Sequence, residues 1–401
     1  MAKMTILQVV PRLETGGSEL TTVEVTEALT RAGAEALVAT EGGRMTKAIT
    51  RTGGEVIAMP VASKNPITML RNADKLARLI AERGVDLVHA RSRAPAWSAL
   101  LAARRTGRPF VTTYHGAYSS PGPLKALYNS VMGRGDRIIA NSFYTADLVA
   151  KRHHVMRDRI RVIYRGLDSA TFDPLVVPPG PVKKLREDWG VSPGATIVLH
   201  AARLSGIKGQ RQTIEAAARL KSDGALQNTC IVLAGDAQGK SAYRQELLDL
   251  VEKHGLQETV KLVGHCRDMP VAFLAADVAL VPSLVAETFG RTSIEAQAMG
   301  CPVIVSELGA LPETIGGGEN FTGWCVPAGD AVALADCIKS VLALSPDERA
   351  AVGARGRARV GALFDLAQMQ MKTLAVYDEL LGSNLVEMYE NPPAFAAMAE
   401  G

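Results

Sequence analysis

Aromatic residues make up only 5% of this 401-residue chain. No run of about 18 apolar residues occurs in it, the minimum for a helix that crosses a bilayer. The five cysteines (Cys230, Cys266, Cys301, Cys325 and Cys337) are scattered, odd in number and without metal-ligand spacing. Reduced thiols in a cytoplasmic protein account for them more simply than a disulfide framework. The N-terminus runs straight into a strand-like stretch, without the basic start, apolar segment and cleavage site of a signal peptide. A cytoplasmic location is therefore expected. There is no Asp-x-Asp triplet, no His/Cys cluster and no Gly-x4-Gly-Lys-Ser/Thr loop, so neither a metal centre nor a P-loop kinase is indicated. Nucleic-acid binding motifs are missing too, and with so few aromatics a nucleic-acid partner is not expected.

What is present describes a soluble α/β protein. Hydrophobic residues reach 47% and charged ones 21%, the balance of an ordinary globular chain. Its length exceeds what one hydrophobic core normally serves, which favours two domains. Residues 1–175 hold 25 Lys and Arg against 15 Asp and Glu, while the remainder holds 20 against 26. A basic half joined to an acidic half suggests that the first meets an anionic surface or substrate.

Short β-branched runs alternate with stretches of helical period. Strands are expected over 5–10, 36–39, 56–59, 87–90, 110–113, 137–140 and 161–163, with helices over 19–32, 68–83 and 97–106 between them. Residues 173–181 then bring four prolines and a glycine, the composition of an interdomain linker. The alternation resumes with strands over 196–201, 230–234, 260–263, 278–281 and 303–305, and helices over 210–222, 242–254 and 292–299. Two parallel-sheet, Rossmann-like domains facing a central cleft are expected, over 1–175 and 182–365. Residues 345–361 read as a surface helix. The segment 366–401 reads as a helix crossing back to the first domain, with a loose tail after Asn391.

Three motifs carry chemistry. Gly16-Gly17-Ser18-Glu19 sits between the first strand and helix, where glycines let backbone amides approach a phosphate and the helix start favours anions. A plain turn with Ser18 as the N-cap is the simpler reading of that motif taken alone. Arg203 and Lys208 share the loop after the first strand of the second half. Arg can fork across diphosphate oxygens while Lys acts as a point charge, although solvated surface charge explains the pair equally well. In the segment from Pro282 to Ala296, Glu287 lies on a loop and Glu295 eight positions on, in a helix. Both could accept hydrogen bonds from sugar or ribose hydroxyls, and the amides of Phe289, Gly290, Arg291 and Thr292 could hold phosphate. A surface salt bridge and a loop cap are the bland alternatives for the two glutamates.

The ordered set of motifs resembles glycosyltransferase family 4 along nearly the whole chain. It runs from Gly16-Gly17-Ser18-Glu19 through His115-Gly116, Ala140-Asn141-Ser142 and Val162-Ile163-Tyr164-Arg165-Gly166-Leu167-Asp168. It continues with Arg203…Lys208-Gly209, Ala234-Gly235-Asp236 and the Glu-x7-Glu block from Glu287 to Glu295. Tyr164-Arg165 replaces a common Pro-Asn and Ala201-Ala202 a usual Gly, neither at an expected ligand contact.

The resemblance implies the GT-B fold and sugar transfer from a UDP- or GDP-linked donor with retention of configuration. It assigns Arg203 and Lys208 to the donor diphosphate, and Glu287, beside the Phe289-Gly290 backbone, to the transferred sugar. Glu295 falls to the ribose, Gly16 and Gly17 to the phosphates from the other domain, and His115 to the sugar. The base is placed near Arg267. No cofactor or metal is implied, since basic residues and helix dipoles take that role; the nucleotide-sugar is a substrate. The catalytic set is then Glu287, Lys208, Arg203 and His115. A non-hydrolysing nucleotide-sugar epimerase and a non-catalytic sugar-nucleotide or lipid-binding module are the alternatives.

The acceptor is sought in the basic half. Arg71, Lys75 and Arg78 recur at helical spacing, and Leu124, Leu127, Tyr128 and Val131 offer apolar surface beside Lys125 and Arg134. That suits a peripheral enzyme on an anionic membrane, extending a glycolipid or lipopolysaccharide acceptor.

Overall fold

The computed structural model describes residues 3–14, 16–118, 122–237, 239 and 241–392. Most of the tail expected after Asn391 lies outside them. The chain divides into two compact units. One runs to Gly166 and takes up the chain again from Leu366, and the other is Leu167–Asp365.

The first unit alternates β1 (Thr5–Val9), α1 (Gly17–Arg31), β2 (Glu35–Thr40), α2 (Thr46–Arg51), β3 (Glu55–Ala58), α3 (Pro66–Glu82) and β4 (Leu87–Ala90). It continues with α4 (Arg93–Thr106), β5 (Phe110–Tyr114), α5 (Pro123–Ser130), β6 (Arg137–Ala140), α6 (Phe143–His153) and β7 (Ile160–Val162). Its seven strands are all parallel in the order β3-β2-β1-β4-β5-β6-β7. Strand side chains alternate faces. Leu7, Val9 and Leu37 therefore join the core under α3 and α4, while Ile6, Ala36 and Leu87 face α1 and the C-terminal helices.

The second unit contains α7 (Pro179–Asp188), β8 (Thr196–Ala201), α8 (Gln210–Ser222), β9 (Thr229–Ala234), α9 (Ser241–Lys253), β10 (Val260–Gly264) and α10 (Met269–Ala275). Then come β11 (Val278–Val281), α11 (Arg291–Ala298), β12 (Val303–Ser306), β13 (Gly323–Val326), α12 (Ala331–Ala343) and α13 (Pro346–Leu363). Its six parallel strands run β10-β9-β8-β11-β12-β13. Apolar runs such as Ile197–Leu199 are buried on both faces, as a parallel sheet covered by helices requires. Both sheets reverse strand order once, between β1 and β4 and between β8 and β11. Ligands of open α/β sheets bind beside such reversals, at the carboxyl ends of the strands.

Two expectations change. The proline-rich stretch 173–181 lies inside the second unit. Pro179 opens α7, where a missing amide proton costs nothing, and Arg357 ties Asp173 to α13 at 2.6 Å. The chain instead passes between units at 166–167 and again at 365–366. Nor is α13 merely a surface helix. A Cβ on Gly353 would fall 1.9 Å from the Gly300 carbonyl oxygen, so the absent side chain lets α13 close onto the end of α11.

The final helices α14 (Leu366–Leu381) and α15 (Leu385–Glu390) belong to the first unit, where Leu374, Tyr377, Leu385 and Tyr389 complete the core over α1.

Candidate functional site

In the second unit the loops after β8 and β11 meet at the strand-order reversal. Leu284 N donates to Ile207 O at 2.9 Å. Gly209, the N-cap of α8, has φ +83°, and a Cβ there would fall 2.0 Å from the Pro282 carbonyl oxygen. Only glycine permits both the left-handed conformation and this approach. The contact sets Lys208 beside Glu287, with Nζ 2.7 Å from Oε1. Ser283 Oγ donates to the same carboxylate oxygen. The Glu287 backbone is pinned in turn, its carbonyl accepting from Ala310 N at 2.9 Å.

Eight residues on, Glu295 pairs with Arg291 Nε at 2.9 Å on α11. Burial pushes the Glu295 carboxyl above the usual carboxylate range, and Arg291 opposes that shift. Phe289 is buried with its ring edge-on to Phe364, 5.7 Å between centroids, so it anchors the loop through its side chain. Gly290 caps α11 with φ +126°, and Thr292 is half-buried in the first turn. The arrangement joins a cation, a fixed carboxylate and a helix N-terminus, which suits a ligand carrying both phosphate and hydroxyl groups.

Arg203 stands exposed on the β8 loop, where its backbone carbonyl accepts from Gln210 Nε2 at 3.0 Å. The Ala201-Ala202 departure is accommodated across the loop by Gly235, whose Cβ would lie 1.9 Å from Ala202 O. Arg267 is exposed on the loop after β10 at the far edge of the sheet, and among the described residues no contact joins it to the Lys208–Glu287 pair. His200, at the end of β8, is buried and bonded to Thr213 Oγ1 at 2.9 Å. Burial first, then the Lys208 charge, lowers its pKa to about 3, so the ring is neutral support for the loop.

In the first unit the N-cap of α1 is Gly16, not Ser18. Gly16 has extended φ −177° and no side chain caps the helix. Ser18 lies in the first turn and bonds Glu19 Oε2 at 2.6 Å. Neither glycine of the pair has a positive φ; what they supply is room. A Cβ on Gly17 would approach the Arg165 guanidinium at 3.2 Å, and one on Gly16 would crowd the Glu19 carboxylate at 2.5 Å.

The Tyr164-Arg165 departure, expected to lie away from the ligand-contact residues, touches two of them through Arg165. It is buried, donating to Gly17 O, to Thr21 Oγ1 at 2.7 Å and to His115 Nδ1 at 2.8 Å. Two residues assigned to the site, Gly17 and His115, thus share one guanidinium. His115 is half-buried at the end of β5, and its pKa lies well below the ordinary value, through burial first and then Arg165.

Below them a polar cluster surrounds the completely buried Arg91. Its Nε donates to Gln8 Oε1 at 2.8 Å, and the neighbouring His89 bridges Tyr377 and Thr113, each at 2.7 Å. A cavity of about 20 Å³ beside this cluster has room for a water at most, and none for a sugar. Sequence reasoning missed Arg91, Arg165 and Ser283. The signal for Arg165 was its replacement of a common residue inside an otherwise conforming motif.

Among the described residues no group of three or more His, Cys, Asp or Glu side chains could hold a metal ion. No described helix is long and apolar enough to cross a membrane.

Two parallel α/β units, with cation- and carboxylate-bearing loops at a strand-order reversal, define the GT-B class. Residues 15–171 match Glycosyltransferase Family 4 and residues 181–359 match Glycosyl transferases group 1. The chain belongs to glycosyltransferase family 4. It is similar to a glycosyltransferase from Rickettsia africae ESF-5, at 34% identity and TM-score 0.88, over 96% of this chain and 100% of that one. The D-inositol 3-phosphate glycosyltransferase of Saccharomonospora viridis is 28% identical over 293 residues, 68% of this chain and 66% of that protein. The chain spans about half to two thirds of the length of the first curated relatives it matches. Anabaena Alr3699/HepE, solved in complex with UDP and glucose, shares the fold at TM-score 0.79 and 24% identity, over 94% of this chain and 100% of that one.

Proposed function

We propose that this protein transfers a sugar, with retention of anomeric configuration, from a UDP- or GDP-linked donor to a glycolipid or lipopolysaccharide-type acceptor. The observation that carries this reading is the Lys208–Glu287 contact at 2.7 Å, made where the β8 and β11 loops meet. Lys208 and Arg203 neutralise the diphosphate as negative charge grows on the leaving group. Glu287 and the amides of Phe289 and Gly290 hold the transferred sugar, and Glu295 takes the ribose hydroxyls. Gly290, Arg291 and Thr292 offer the start of α11 to phosphate. Gly16 and Gly17 approach the phosphates and His115 contacts the sugar. Arg267 lies toward the base. These cations make a bound metal unnecessary. The leaving phosphate helps deprotonate the acceptor on the same face of the sugar.

A uracil base is favoured by HepE, whose solved complex contains UDP and glucose. Thermal-shift measurement with a panel of UDP- and GDP-sugars tests the donor, since a ligand at 100 times its Kd stabilises by about 2.7 kcal/mol. Stabilisation by none of them removes the reading.

The acceptor side rests on α3 and α5, which flank α4. Ser98 Oγ bonds Met69 O on α3, and Trp97 Nε1 bonds Tyr128 O on α5. Ile67, Leu70, Leu124 and Leu127 are all exposed there, beside Arg71, Lys75 and Lys125. Such a surface suits peripheral attachment to the anionic cytoplasmic face of an inner membrane. A soluble phosphorylated polyol is the second acceptor reading, favoured by the names of the D-inositol 3-phosphate glycosyltransferase relatives.

A further inference from the structure

We infer that Arg165 is a positioning residue. It holds His115 as the tautomer protonated at Nε2 and ties that ring to the Gly16–Gly17 turn.

A guanidinium has only donors, so the His115 Nδ1 that lies 2.8 Å from Arg165 Nη2 accepts. A neutral imidazole then carries its single proton on Nε2. Neutrality follows from the surroundings. Among the described residues, Arg165, next to β7, and Arg91, next to β4, charge the surroundings of the ring, with the His89 imidazole on β4 and the Tyr118 phenol by the His115 backbone; both charges oppose protonation, as does burial. The other Arg165 amino group, Nη1, donates to Gly17 O and to Thr21 Oγ1 at 2.7 Å. One planar fork thus sets the rotation of the imidazole and the position of the first turn of α1. Lysine offers a point charge and cannot span both.

The anchoring of Arg165 is itself fixed. It precedes Gly166, where a Cβ would fall 2.6 Å from Leu366 Cα, so the backbone that carries the arginine is pressed against the start of α14. The guanidinium also places permanent positive charge beside the first turn of α1, adding to the helix dipole there.

The functional consequence rests on the proposed contact between His115 and the transferred sugar. A ring locked with Nε2–H is always a donor to a sugar hydroxyl. A freely flipping ring offers the wrong nitrogen part of the time and loses alignment, which costs about 100-fold in rate for a displacement near 1 Å.

The test uses protein labelled with 15N-histidine, with the His115 signals assigned by comparison with His115→Asn. In the wild type, Nε2 is expected to be protonated and Nδ1 unprotonated, with no titration between pH 5 and 8. A wild-type ring protonated at Nδ1 overturns the inference without any variant. In Arg165→Met, which keeps the length and loses every donor, the ring is expected to exchange between tautomers or to titrate within that range. Arg165→Lys is expected to restore the Nε2–H form. A His115 signal in Arg165→Met identical to the wild type overturns the inference. Turnover of the preferred nucleotide-sugar should fall about 100-fold in kcat in Arg165→Met, a larger factor than any loss of UDP affinity, because of the residues assigned to UDP only Gly16 and Gly17 lie beside Arg165. If the wild type transfers no sugar at all, the glycosyltransferase reading fails, and the tautomer measurement still decides the role of Arg165.

Discussion

Replacing Lys208 with Ala removes the cation that lies 2.7 Å from Glu287. The expected loss is that of one preorganised donor at a site of growing negative charge, about 2.7–4 kcal/mol or 100- to 1,000-fold in kcat. Lys208 is 27% exposed, so solvent takes over part of its role and the lower end of that range applies. Stability should hardly change. Partly exposed ion pairs contribute about 0.2–1 kcal/mol, which shifts Tm by less than about 4 °C in a unit of this size. Glu287→Ala should cost a similar factor. The two side chains touch and act together, so the double variant should lose about as much as either single one, not their product. The assay is nucleotide release from the preferred donor, with a melting curve for each variant. Wild-type turnover in Lys208→Ala refutes the mechanism. Multiplying losses in the double variant would refute the claim that the pair is one unit.

Gly209→Ala forces a left-handed residue, at about 1–2 kcal/mol, and drives a Cβ to 2.0 Å from Pro282 O. A Tm fall of about 3–8 °C with weakened donor binding is expected; an unchanged melting curve contradicts the loop contact. The buried imidazoles of His89, His115 and His200 all have pKa values below the ordinary one. Above about pH 6.5 they do not alter stability with pH. Below it the unfolded chain binds protons that the folded chain does not, so each lowers stability by about 1.4 kcal/mol per pH unit. Urea midpoints should therefore drop from pH 7 to pH 5, and less steeply in His89→Gln; equal slopes would mean that His89 is protonated in the fold. On the membrane side, wild-type protein should float with anionic vesicles at low salt. Leu124→Asp with Leu127→Asp should abolish this, since two inserted leucines contribute at least about 3 kcal/mol. No flotation of the wild type removes the membrane proposal and favours a soluble acceptor.

The alternation of apolar strands with amphipathic helices was legible because both sheets are parallel and buried on both faces, which leaves uninterrupted runs such as Ile197–Leu199. The loops at the strand-order reversal were legible because Lys208, Glu287 and Glu295 sit in compact motifs. The unit boundary was not. Prolines signal both linkers and helix starts, and at Pro179 the second meaning holds. The boundary actually used, next to Gly166, depends on Leu366, 200 positions away, packing against it. Arg165 was equally hidden, since its partners Gly17 and His115 lie 148 and 50 positions distant. Local sequence can mark such a residue as unusual, but only the fold reveals what it holds. At Phe289 the motif offered a backbone amide, and what the sequence left unseen is the ring's packing against Phe364.

Sugar transfer from a nucleotide donor is tested most directly by proton NMR of the purified protein with the donor selected by thermal shift and a glycolipid acceptor. Stoichiometric release of UDP or GDP is expected, with a product that keeps the donor's anomeric configuration, persistence of the reaction in EDTA and its collapse in Lys208→Ala. A donor left intact, or a product of inverted configuration, would contradict it.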